Sequence, residues 1–438
     1  MTPSTLDALL GQYEQFGVHL GLERIHQLLH DLGNPHQQVP ILHVAGSNGK
    51  GSVCAYLSSV LSHAGYRVGR YISPHLVSWC ERICIDGQPI ASEVLEGLLH
   101  QIGQAIRPDR PSPTQFEVIT AAAWLYFAQQ QVDLAVIEVG LGGRLDATNV
   151  CDRPLVTIIT SISREHWQRL GPTLADIAGE KAGILKTDTP AVIGPLPPEA
   201  EAIVQCKIAE VDCSAVWPEP ASLTGDWEIH QGRPLPIVQS QDISYPLALA
   251  GDFQLTNSAL AIAAIKALRQ QGWVISDAAI FSGMANTQWP GRIQMTTWNE
   301  HHLLIDGAHN PAAAQVLRQT LDNPLWWQKG QSGSPVHWVM GMLSTKDHGD
   351  IFQALLRSGD FLYLVPVPGH RSADPTKLAS LAWEICPDLN HCQAYPDLWA
   401  GLEAARQSHT ARKQARPRPI VLCGSLYLLG YFLEKRSA

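Results

Sequence analysis

A chain of 438 residues is long for one hydrophobic core, so two domains are expected. Hydrophobic residues make up 45% of it and charged residues 16%, a balance that suits a globular enzyme and excludes a disordered chain. The formal net charge is −9 and basic residues cluster only at 412–418, a stretch that reads as a solvated loop, so nucleic acid is excluded as a partner.

In chain order, residues 1–20 hold no basic segment followed by an apolar one, so no secretory signal is expected. No apolar run reaches membrane-spanning length, and no membrane contact is expected. Short apolar strands then alternate with amphipathic helices, the α/β pattern. Strands are expected at 41–45, 67–72, 133–139 and 155–162, the last two apolar enough to be buried on both faces. Helices are expected at 53–61, 91–106, 116–130, 174–184 and 257–270. Residues 218–249, rich in Pro, Gly and β-formers, read as an antiparallel excursion or small second sheet. Pro290-Gly291 punctuates the chain, and a second strand–helix alternation follows, with strands at 302–306, 337–340, 361–365 and 420–423. The nine cysteines are scattered. Cys80 with Cys84, or Cys386 with Cys392, lacks zinc-ribbon spacing, and an odd, dispersed set fits a reducing, cytoplasmic compartment.

The most informative stretch is Gly46-Ser47-Asn48-Gly49-Lys50-Gly51-Ser52, between the first strand and its helix. Glycines let backbone N–H groups close around an anion, and the helix N-terminus adds partial positive charge. Lys50 supplies a mobile full charge for the outer phosphates of a nucleotide. A glycine-rich turn without a ligand is the alternative. Glu138 ends a buried strand, and the carboxyl ends of strands are where ligands gather in open α/β sheets. A carboxylate beside a phosphate loop is a natural Mg²⁺ ligand, since that ion takes oxygen donors and bridges phosphates. A strand-end acid facing solvent is the alternative.

The phosphate loop is not the commonest form: Val44 stands where that form has glycine, and Gly51 separates Lys50 from the hydroxyl of Ser52. This short version resembles the loop of the Mur-ligase superfamily. With Glu138 to Asn149 (EVGLGGRLDATN), it is similar to folylpolyglutamate synthase and its bifunctional form, dihydrofolate synthase. The resemblance runs from Gly46 to Tyr427. It implies a P-loop-like, mostly parallel sheet domain at 1–291, binding ATP, and a smaller Rossmann-like α/β domain at 292–438, with the active site in the cleft between them. The reaction it implies is ATP-dependent attachment of L-glutamate, through an acyl phosphate, to a folate γ-carboxylate or to dihydropteroate, by a monomer.

Residue by residue, the resemblance implies that Gly46, Asn48, Gly49, Lys50, Gly51, Ser52, Asn257, Arg292, Asp306 and His309 bind ATP. Gln254 stands beside Asn257 in the same motif. Ser73, in Ile72-Ser73-Pro74-His75, and His166, in Arg164-Glu165-His166, join Glu138 as Mg²⁺ ligands; Glu165 replaces the family's usual aspartate. Lys181, in Gly179-Glu180-Lys181-Ala182, matches a lysine that becomes a carbamate and helps to hold a second ion. Lys50, Glu138, His166 and Lys181 carry the catalytic roles. Thr114, Phe116, Leu145, Asp146 and Ala147 fall to the pterin side, and Lys346, Asp347, His370, Arg371, Ser425 and Tyr427 to second-domain elements facing glutamate. Another Mur-type ligase is disfavoured by the Lys50-Gly51-Ser52 order and the 141–149 motif, and a non-ligase P-loop NTPase by the restart after Gly291 with Asp306 to Pro311. Folylpolyglutamate synthase activity alone is the remaining alternative.

Overall fold

The computed structural model describes residues 5–14, 20–323, 325–326, 334–411 and 419–436. The basic run at 412–418 and parts of the N-terminal stretch lie outside the described residues. The chain divides into two compact units: Met1–Ala248 with Gln254–Gln288, and Leu249–Phe253 with Trp289–Ala438. Ala250 and Phe253 pack on the apolar core of the second unit, which is why that short segment goes with it.

The sheet of the first unit contains β1 (Ile41–Ala45), β2 (Val68–Tyr71), β3 (Ile83–Ile85), β4 (Gln88–Pro89), β5 (Leu134–Glu138), β6 (Val156–Ile159), β7 (Ala191–Ile193) and β8 (Ala215–Val216). Their order is β4-β3-β2-β5-β1-β6-β7-β8. Only β2–β3 and β3–β4 pair antiparallel. All of β1, β5 and β6 is buried, the reason these segments read as mostly apolar runs despite His43 and Thr157. The register sets Val44 beside Glu138 and Ile158, and Tyr71 beside Ile137. The carboxyl ends of β1, β2, β5 and β6 therefore share one edge of the sheet.

Helix placement follows from capping and from which face is apolar. Thr114 caps helix Gln115–Gln129 and Thr173 caps helix Leu174–Ala182, each in a reciprocal box with the acid at the third helical position. The second of these helices buries Ile177, Ala178, Lys181 and Ala182, so Lys181 lies on its apolar side. A small sheet, β9 (Ser222–His230), β10 (Arg233–Ser240) and β11 (Ile243–Pro246), is antiparallel throughout, as the composition of 218–249 suggested.

The second unit carries β12 (Gln294–Trp298), β13 (His301–Ile305), β14 (His337–Met340), β15 (Phe361–Leu364), β16 (His391–Ala394) and β17 (Ile420–Cys423), in the order β12-β13-β17-β14-β15-β16. All its pairs are parallel except β12–β13. The strands absent from the sequence reading are β3, β4, β7, β8, β12 and β16. They are short or half exposed, so neither an apolar run nor a clean alternation marks them.

Asp360, 1% exposed, ties this unit together. It accepts from Arg318 (2.6 Å), Trp338 Nε1 (3.1 Å) and the N–H groups of Val336 (2.9 Å) and Arg357 (3.0 Å). Asp360→Ala takes the buried acceptor from Arg318, Trp338 and two backbone N–H groups, while Arg318 keeps Asp322 (3.0 Å), and it is expected to cost about 3 kcal/mol. Urea unfolding measures this, and an unchanged midpoint would show that the cluster contributes nothing.

Candidate active site

Gly46 adopts φ +147° and Gly49 φ +89°, backbone shapes that suit glycine. A Cβ at Gly46 would stand 1.9 Å from Thr160 Oγ1, and one at Gly49 would stand 2.4 Å from Asn257 Oδ1. The loop after β6 braces this turn. Ser47 N–H donates to Ser161 O (2.8 Å) and Asn48 N–H to Ser161 Oγ (3.0 Å). Thr160 Oγ1 donates to Asn48 O (2.6 Å), and Ser163 N–H to Ser47 Oγ (3.0 Å). The sequence reading missed these bracing hydroxyls; their signal was the run of Ser and Thr just past a buried strand.

Helix Lys50–His63 starts at Gly49 with no side-chain cap. Its first amides are thus left for an anion, and the dipole favours one there. Lys50 curls over the loop, donating from Nζ to Gly46 O (2.8 Å) and Ser47 O (3.3 Å). Asn257 lies against Gly49, so it stands beside the phosphate loop of Gly46 to Ser52.

Glu138, 6% exposed, accepts from Ser73 N–H at 3.3 Å. The Ser73 loop is shaped by Glu81, whose carboxylate accepts from the N–H groups of Leu76, Val77 and Ser78 (2.8–2.9 Å). The Glu138 carboxylate, beside Val44 at the strand end that leads into the phosphate loop, and the neighbouring Ser73 offer oxygen donors, the chemistry that Mg²⁺ takes. His166 is exposed, at φ +46°, and begins the short helix Trp167–Leu170. Among the described residues, no three of His, Cys, Asp and Glu are grouped to hold a metal ion.

Lys181 is 2% exposed, and its Nζ donates to Glu165 (2.7 Å) and to Gly46 O (2.9 Å). Two lysines thus meet one loop carbonyl. Burial lowers the Lys181 amine against the opposing pull of Glu165. Burial alone would raise the Glu165 carboxyl, but Lys181 first, then Lys50, holds it at about 2. A buried amine with a lowered pKa suits carbamate formation, which starts from the neutral amine. A carbamate would meet the Glu165 carboxylate, so a cation is needed between the two negative groups.

The pterin-side residues carry visible structural duties. Thr114 and Glu117 form the helix cap. Phe116 lies over Gly140, where an added Cβ would stand 2.4 Å from the ring. Asp146 turns both oxygens to its own loop, accepting from Leu141 N–H (2.7 Å), Thr148 N–H (3.0 Å) and Thr148 Oγ1 (2.5 Å). Burial raises its carboxyl despite those bonds. Leu145 is half-buried and Ala147 buried in the same loop.

In the second unit, Asp306 accepts from Ile293 N–H (2.9 Å) and Ala308 N–H (2.8 Å). Burial raises its carboxyl, opposed by Arg292. His309 Nδ1 bonds to Gly307 O (2.7 Å), and the Arg292 guanidinium lies against Gly307. These three residues gather at the carboxyl end of β13. His370 stacks on Tyr427, with ring centres 3.8 Å apart. Ser425 is buried at the start of helix Leu426–Lys435, Asp347 begins helix His348–Leu355, and the Arg371 carbonyl accepts from Ser344 N–H (2.9 Å).

Comparison with known proteins gives the family and the fold. A family profile described as Mur ligase middle domain matches residues 44–265, and one described as dihydrofolate synthetase, C-terminal domain, matches residues 291–435. Folylpolyglutamate synthase of Lacticaseibacillus casei is 35% identical over 422 residues, 92% of either chain. Dihydrofolate synthase/folylpolyglutamate synthase of Bacillus subtilis is 34% identical, over 85% of this chain and 89% of that one. The solved structure of Mycobacterium tuberculosis folylpolyglutamate synthase complexed with ADP and AMPPCP has a TM-score of 0.85 at 31% identity, covering 98% of this chain and 99% of that one. The fold and the phosphate loop therefore define an ATP-dependent ligase with a Mur-type domain. More narrowly, the chain belongs to the folylpolyglutamate synthase/dihydrofolate synthase family.

Proposed function

We propose that this chain attaches L-glutamate both to the γ-carboxylate of a folate and to dihydropteroate. The observation that carries the reading is the phosphate loop, with Lys50 over glycines that admit no side chain and Glu138 at the neighbouring strand end. Relatives named for each activity, and for both, support the substrate pair. The substrate carboxylate attacks the γ-phosphate of ATP, ADP leaves, and the glutamate amine displaces phosphate from the acyl carbon. Lys50 offsets charge on the transferring phosphoryl group, and the helix amides after Gly49 hold the phosphates. Mg²⁺, held by Glu138 and Ser73 and, for a second ion, by His166 and carbamylated Lys181, would neutralise the phosphate oxygens. Residues 1–291 would form the ATP-binding domain, and residues 292–438 would add Arg292, Asp306 and His309 to the nucleotide. Nine free thiols accord with a reducing, cytoplasmic compartment, and among the described residues no helix is long and apolar enough to cross a membrane. A monomer is the proposed working form.

One observation favours folylpolyglutamate synthase activity alone: Thr114 and Asp146 are engaged in a helix cap and in their own loop. A single assay decides. Purified protein with ATP, Mg²⁺ and labelled glutamate is offered dihydropteroate or tetrahydrofolate. Incorporation with both acceptors is expected. If dihydropteroate is neither a substrate nor an inhibitor of folate extension, only the polyglutamate activity stands. Absence of glutamate-dependent phosphate release with either acceptor overturns the whole reading.

A further inference from the structure

Gln254 is 1% exposed, yet it is a polar side chain with no place in the chemistry above. It sits three residues before Asn257 on helix Phe253–Gln270, so the two share a face. That face meets the phosphate loop at two points. Asn257 lies directly over Gly49, and its Nδ2 donates to Gln254 Oε1 at 3.1 Å. With Oε1 accepting, Gln254 presents Nε2 as a donor, and Nε2 reaches Ser52 Oγ at 3.2 Å. Asn257, Gln254 and Ser52 thus form a buried relay, each no more than 6% exposed.

We propose that Gln254 is a positioning residue: its amide selects the rotamer of the Ser52 hydroxyl that the nucleotide site uses. A serine hydroxyl otherwise turns among three staggered positions. A fixed donor on one lone pair leaves the second lone pair and the proton aimed in set directions. The hydroxyl then meets MgATP without first being ordered, and that saving appears as affinity. Because Asn257 fixes which end of the Gln254 amide faces Ser52, the relay also ties the loop's middle to its helix. This inference rests on the nucleotide reading of Gly46 to Ser52.

The test is a double-mutant cycle of Gln254→Met with Ser52→Ala, read by MgATP binding and by steady-state kinetics. Methionine keeps the length and loses the donor, and a Tm measurement on each variant checks the fold. Expected for Gln254→Met is an affinity for MgATP and a KM for ATP about 5–20-fold worse, the scale of one lost hydrogen bond, with the glutamate KM unmoved. In the Ser52→Ala background the same change should cost less than about 2-fold. Gln254→Glu, which keeps the shape but reverses the bond so that Ser52 donates, should also weaken MgATP. A purely structural Gln254 would lower kcat through loss of active molecules and leave both KM values alone, and its effect would multiply fully with that of Ser52→Ala; either result overturns the proposal. If the unaltered protein binds no MgATP, the nucleotide reading itself falls, and the inference falls with it.

Discussion

Lys50→Ala is expected to reduce turnover by at least about 10³-fold, the scale seen when a cation is taken from a phosphoryl transfer site. The fold should survive. Among the described residues, Lys50 Nζ donates to the loop carbonyls of Gly46 and Ser47, and Gly46 O keeps Lys181 as a second donor. Losing those two bonds should cost about 1 kcal/mol, within the range of a single neutral hydrogen-bond change. The loop geometry rests on other contacts, chiefly Thr160, Ser161 and Ser163. Lys50→Arg should not restore the rate, because a planar fork on a longer stem cannot take the place of a compact ammonium. Thermal unfolding and a glutamate-dependent phosphate assay, run side by side, check both halves. A variant with near-normal ligase activity would remove the nucleotide role from this loop.

Lys181→Ala is expected to lose activity by about 100-fold or more, and here the fold should suffer too. The side chain is 2% exposed and faces a Glu165 side chain that is 14% exposed, so its removal leaves a carboxylate without its cation. Breaking such a pair from one side costs about 3 kcal/mol or more. The two effects can be separated. Lys181→Arg keeps the positive charge opposite Glu165 and should recover part of the stability, but it cannot become a carbamate and should stay inactive. A short-chain carboxylate in solution should restore part of the activity of Lys181→Ala by standing in for the carbamate oxygens. Burial lowers the amine, so the neutral form that reacts with CO₂ is within reach, while Glu165 makes the product unfavourable until a cation lies between them. Activity should therefore depend on bicarbonate and Mg²⁺ together. Full activity in the arginine variant would show that the ammonium itself, as it stands against Glu165 and Gly46, is the working form.

Much of this protein was legible before any coordinates. The strands at β1, β5 and β6 announce themselves because both faces are covered, which leaves them mostly apolar, with His43 and Thr157 the buried polar residues inside the runs. The phosphate loop is legible because glycine spacing, a lysine and a strand–helix junction are all local, within a single turn of chain. Glu138 could be placed at a strand end for the same reason. Other features depended on residues far apart in the chain. Nothing local to Glu165 or Lys181 says that they pair; the pairing needs the loop after β6 and helix Leu174–Ala182 to arrive at one carbonyl of a third segment. The short strands at the sheet margins, such as β4 and β8, form only because a neighbour offers them an edge. Asp146 reads as a substrate residue by motif and is seen to order its own loop only when its two oxygens are traced to Leu141 and Thr148. The relay from Asn257 through Gln254 to Ser52 joins residues 202 positions apart through the Gln254–Ser52 hydrogen bond. By itself the sequence determined the class of fold and the phosphate chemistry, because backbone conformation and burial leave local patterns. Which polar side chains meet inside the protein was decided by tertiary structure, because a hydrogen bond between distant residues depends on where the whole chain brings them.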